Sequence, residues 1–72
     1  MDIQISNFDK VPILYADGKK VFDGSDKNLV LVKLEIYWQT NTDRVMPKGY
    51  KVDYRDLRDD EPIIHTIEAK TV

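Results

Sequence analysis

The side chains able to do covalent chemistry are few: one histidine, His65, two serines, Ser6 and Ser25, and no cysteine. A serine nucleophile needs a base beside it and a strained turn that exposes its hydroxyl, typically in a G-x-S-x-G setting. Ser6 lies in Ile5-Ser6-Asn7 and Ser25 in Gly24-Ser25-Asp26, so neither has that setting. His65 alternates with Ile63 and Ile67, the placement of a histidine packed at a sheet margin rather than of a catalytic or pH-sensing one. The chain is not expected to be an enzyme.

Carboxylates are plentiful, with Asp53, Asp56, Asp59, Asp60 and Glu61 close together. A calcium loop needs oxygens at fixed spacing and a closing glutamate, and neither this run nor Asp23-Gly24-Ser25-Asp26 has that pattern. A solvated acidic loop that also discourages edge pairing is the expectation. Gly18, Gly24 and Gly49 are widely spaced and each is expected in a separate turn, which leaves no glycine-rich phosphate loop. No metal and no cofactor is expected.

A basic and aromatic mixture runs from Tyr37 to Arg58: Arg44, Lys48, Lys51, Arg55 and Arg58 interleave with Tyr37, Trp38, Tyr50 and Tyr54. Single-stranded nucleic-acid surfaces use such residues for phosphate pairing and base stacking. A site of that kind would use Tyr37, Tyr50, Tyr54, Lys48, Lys51 and Arg55. Against it, alternation puts Tyr50 and Tyr54 on a face with Val52, and Trp38 with Ile36, which is core placement. Asp43, Asp53, Asp56 and Asp59 would also weaken phosphate attraction. Nucleic-acid binding is therefore the second-ranked expectation.

These residues must be positioned by strands. In residues 28–38, NLVLVKLEIYW, the side chains of Val30, Val32, Leu34, Ile36 and Trp38 recur at the strand period, which predicts one buried face. Leu29, Leu31, Lys33, Glu35 and Tyr37 form the other face, apolar at its start and charged at its end. Asp17-Gly18 between two alternating runs predicts a tight hairpin over 13–22. Ile3 and Ile5 mark a short first strand, Val45-Met46 the start of another before Pro47, and Tyr50, Val52 and Tyr54 a later one. Residues 56–62 read as a loop, because a helix ending in Asp59, Asp60 and Glu61 would oppose its own dipole. Residues 63–70 alternate again.

The expected fold is all-β: one domain over residues 1–72, a small antiparallel rolled sheet or barrel, SH3-like or OB-like, with about five to six strands. Eleven extended residues would span roughly 36 Å, whereas a compact domain of this length is only about 30 Å across. The central strand must therefore coil strongly or project an end to which another chain can pair.

Composition bounds the partners. Eleven basic and 13 acidic residues give a net charge of −2, too little for strong non-specific attraction to nucleic acid or anionic lipid. No apolar run is long enough to span a membrane, and the opening MDIQISNFDK lacks the basic start and apolar core of a signal peptide. A cytoplasmic location is expected. A cysteine-free domain of 72 residues is near the lower limit for independent folding, which favours burial against a partner. The leading expectation is a non-enzymatic protein-binding module acting through a sheet face or edge, such as a small structural subunit or inhibitor encoded by a virus or mobile element. Its partner would be another protein or a second copy, and no membrane. Leu29, Leu31 and Tyr37 would make the contact, with Arg44, Lys48 and Arg55 as a polar rim and Phe8 or Met46 extending it. The competing expectation for the leucines is that the 13–22 hairpin covers them.

Overall fold

Asp17 and Gly18 have φ of 52° and 80°, the two positive values that a two-residue type I′ hairpin requires. They join β2 (Ile13–Ala16) to β3 (Lys19–Asp23), and β1 (Ile3–Ser6) pairs along the other side of β2. The turn also anchors the start of the chain: Asp17 N–H donates to Asp2 O at 2.7 Å, and Asp2 N–H to Asp17 Oδ1 at 2.8 Å. β4 (Leu29–Asn41), β5 (Arg44–Asp56) and β6 (Ile64–Lys70) follow as a second meander. The computed structural model describes residues 2–7, 10–41 and 44–70, with the side chains of 39–41 and 44–46 outside that description. The fold is all-β, with six antiparallel strands in two three-stranded sheets that do not close into a barrel.

The first sheet lies over one face of the second. Leu14, Ala16 and Phe22 meet Tyr50 and Val52 to form the core, around which Ile3, Ile5, Leu29, Leu31, Leu34, Tyr54 and Ile67 pack. Leu14 and Val52 are essentially without solvent contact. Tyr50, Val52 and Tyr54 share this inner face, as their alternation requires.

The central strand departs from unbroken alternation. Leu31 is opposite Tyr54 and Lys33 opposite Asp53, so Val32 is an extra residue in a bulge. Directly opposed residues share a face, and a bulge reverses the side-chain parity of all that follows. Leu29 and Leu31 therefore point inward together with Leu34 and Ile36. Val30 and Val32, expected inside, are 42% and 53% exposed. Trp38 is corrected as well. It follows Ile36 in parity, but its rung with Pro47 lies past the end of β6, and its side chain is 61% exposed.

β6 reaches only from Arg55 to Gly49 along β5, whereas β4 and β5 continue through the rungs Trp38–Pro47 to Asn41–Arg44. The long strand thus projects. The molecule measures 47 × 22 × 19 Å with a radius of gyration of 13.4 Å, against about 11 Å for a compact domain of this length. Its surface of 5359 Å² likewise exceeds the roughly 4,600 Å² expected. The break expected between Val45-Met46 and Tyr50 is corrected: Pro47 and Gly49 lie within the single strand β5, Gly49 paired on both sides and Pro47 where β5 has a neighbour on one side only, a setting in which a strand tolerates proline.

Candidate binding face

The outer face of the second sheet is built of cross-strand rungs. Moving from the projecting end, the first joins Tyr37, Gly49 and Lys70. Gly49 has no side chain to intervene, and Lys70 Nζ reaches to 4.7 Å from the Tyr37 ring centroid, within cation–π range. Burial pushes the Tyr37 phenol up, and the nearby carboxylates of Glu68 and Glu35 push it further.

The next rung aligns Glu35, Lys51 and Glu68, a cation between two anions. The third aligns Lys33, Asp53 and Thr66; the Thr66 hydroxyl donates to Asp53 Oδ1 at 2.7 Å. Lys33 Nζ lies 2.7 Å from Glu35 Oε1, which raises the lysine pKa and lowers that of the glutamate. On this part of the face, each charge has its complement on a neighbouring position.

The last rung differs. It sets Arg55 between Val30 and Ile64. Val30, Val32 and Ile64 are all exposed, as are Leu57 and Ile63 in the adjoining loop. Leu57 N–H donates to Asn28 O at 2.7 Å, which carries the β4–β5 ladder one step further and holds Leu57 beside this end. Five of the seven large hydrophobic residues most exposed among the described ones thus gather here. The Arg55 side chain makes no ion pair, hydrogen bond or ring contact among the described residues.

The residues expected to bind protein do not form a single surface. Leu29 and Leu31 face inward and pack on the core, and Leu29 shares the cleft between the sheets with Val21 and Phe22 of β3. Tyr37 and Arg55 are on the outer face at opposite ends. Lys48 is the extra β5 residue between the Pro47 and Gly49 rungs and is half-buried. The side chain of Arg44, like those of Met46 and all of Phe8, lies outside the described residues. The nucleic-acid set is also divided: Tyr50 and Tyr54 are on the inner face, Tyr37, Lys51 and Arg55 on the outer. Val30, Val32 and Ile64 were missed by the reading of the sequence. For the two valines the signal was the switch from Leu29 and Leu31 to Lys33 and Glu35 at the same parity, which a bulge produces.

His65 stacks on Tyr54, with ring centroids 5.3 Å apart, and Tyr54 leans on Phe22 at 5.5 Å. Its Nε2 lies 2.6 Å from Asp59 Oδ2, so it ties the β5–β6 loop to the core. Ser25 donates its N–H and its hydroxyl to Asp23 Oδ1 in the β3–β4 turn. These bonds, with Lys20 at 3.2 Å, hold the Asp23 carboxyl below the usual range. The histidine and the serine are thus engaged with separate aspartates. An open cleft of about 290 Å³ between the sheets is lined by Val21, Phe22, Leu29, Tyr54 and Ile67, with Lys20 and Asp23 at its rim. Among the described residues no group of three or more acidic or histidine side chains could hold a metal ion, and no helix is long and apolar enough to cross a membrane.

The fold and the site define a small two-sheet antiparallel β domain with a divided outer face, self-paired in charge at one end and apolar at the other. No protein-family model matches the chain, and no curated protein or solved structure is significantly similar to it.

Proposed function

We propose that the chain is a non-enzymatic protein-binding module that acts through the outer face of its second sheet, at the end formed by Val30, Val32, Arg55 and Ile64. The observation that carries this reading is the contrast along one face: a cation–π rung and two rungs of opposed charges, then a rung of two aliphatic side chains around an arginine. Single exposed aliphatic residues are ordinary on β domains, but contiguous ones rimmed by polar residues mark contact sites. Depletion of paired charges, with arginine retained, is also how the centres of protein interfaces differ from other surface. The small core supports the same reading, since a partner would remove this apolar surface from water.

The test compares proteins retained from a lysate of the source cells by the wild-type chain and by a Val30→Asp, Ile64→Asp double variant. Circular dichroism first establishes that both are folded. A partner retained by the wild type and lost by the variant is expected. Identical retention by the two would end the proposal for this face. Light scattering on the same samples shows whether the partner is a second copy.

A further inference from the structure

We propose that Arg55 anchors a protein segment carrying a carboxylate flanked by aliphatic side chains, an inference that rests on the binding role assigned above to the same face. Arg55 stands directly between Val30 and Ile64, and its side chain is exposed. Among the described residues its side chain has no ion pair, hydrogen bond or ring contact, whereas Arg58, Lys33 and Lys70 of this sheet and its loop are engaged and Lys51 stands between two carboxylates of its own rung. Arg58 is forked onto Asp56, Lys33 pairs with Glu35, Lys70 covers Tyr37, and Lys51 is aligned between two glutamates.

A guanidinium remains charged at any physiological pH and is weakly hydrated, so it tolerates the edge of an apolar surface better than an ammonium does. Its stem can lie along aliphatic neighbours while the planar head stays free for two parallel hydrogen bonds to one carboxylate. The complement of this rung is therefore an acidic group with apolar side chains two residues away on each side, as an extended segment would present them. A nucleic-acid backbone fits the same position less well. It requires several unpaired cations along a track and stacking rings beside them, and Tyr50 and Tyr54 are on the opposite face.

The test is a methyl and guanidinium NMR titration of the intact chain with three capped pentapeptides: acetyl-Val-Thr-Glu-Thr-Val-amide and its analogues with central Gln or Lys. Expected are shifts at Val30, Ile64 and Arg55 Nε, with the Glu peptide binding about fivefold more tightly than the Gln peptide at low ionic strength. In the Arg55→Gln variant this preference should vanish while the Val30 and Ile64 shifts persist. Equal binding of the three peptides would overturn the carboxylate inference and leave the binding face intact. Failure of every peptide to shift Val30 or Ile64 at about 1 mM would overturn the face itself. Binding of single-stranded oligothymidylate at Arg55 more tightly than the Glu peptide would overturn the choice of a protein segment.

Discussion

Arg58 grips Asp56 as a fork: its Nε donates to Oδ1 at 2.9 Å and its Nη2 to Oδ2 at 2.7 Å, while its own backbone N–H donates to Oδ1 at 3.0 Å. Both residues belong to the turn that leaves β5, so the pair closes the start of the acidic loop. The Arg58 side-chain bonds are the chief cause that holds the Asp56 carboxyl at about 2, with the backbone N–H second.

The pH dependence follows from that direction. The native state favours the ionised carboxylate, so its contribution to stability is complete above the unfolded value of about 4 and is lost as pH falls towards 2. A carbon-detected titration of the Asp56 carboxyl should show a midpoint near 2. In an Arg58→Ala variant the midpoint should rise towards that of an ordinary aspartate. An ordinary midpoint in the wild type would mean that the fork does not form in solution.

Two glycines are required for different reasons, which substitution separates. A Cβ on Gly49 would lie 2.3 Å from Ala69 O and 2.9 Å from Lys70 Cα, whereas one on Gly18 would meet nothing within 4 Å. Gly49→Ala forces β5 and β6 apart and should cost about 2 kcal/mol or more, in the range of overpacked interiors. Gly18→Ala costs only the left-handed backbone, about 1 kcal/mol, and Gly18→Asn less, since asparagine enters that region readily. Melting temperatures should fall in the order wild type, Gly18→Asn, Gly18→Ala, Gly49→Ala, with a loss of about 10 °C for the last. If Gly49→Ala melted with the wild type, the close approach of the two strands would be disproved.

How much of this was legible in the sequence depended on distance along the chain. The Asp17-Gly18 turn was readable because the residue types that allow positive φ are local, and alternation located the other strands for the same reason, although β5, one strand over Arg44–Asp56, was expected as two pieces divided at Pro47. The loop over 56–62 could be read from its charges. The inward turn of Leu29 and Leu31 was only the competing expectation, because periodicity counts parity and one bulged valine reverses it without any distinctive residue type. Long-range partners left no mark either. Asp59 meets His65 across the loop, and Lys70 crosses Gly49 to reach Tyr37, only because strand register brings them together. The proposed binding face is of this second kind, since Val30, Arg55 and Ile64 come from three strands.

The bulge itself is testable at adjacent positions. Leu31 is opposite Tyr54 and packs on the core, whereas Val30, one residue earlier, is opposite Arg55 and faces outward. Leu31→Asp places a carboxylate among apolar side chains with no cation beside it, a change that costs several kcal/mol, a large share of the stability of so small a domain. Val30→Asp loses only exposed strand preference, about 1 kcal/mol or less, and its carboxylate would stand opposite Arg55. Urea denaturation should therefore find Leu31→Asp largely unfolded and Val30→Asp close to the wild type. The reverse order is what a strand alternating without interruption from Val30 to Trp38 would give, and it would place the aliphatic face inside the molecule and the leucines outside.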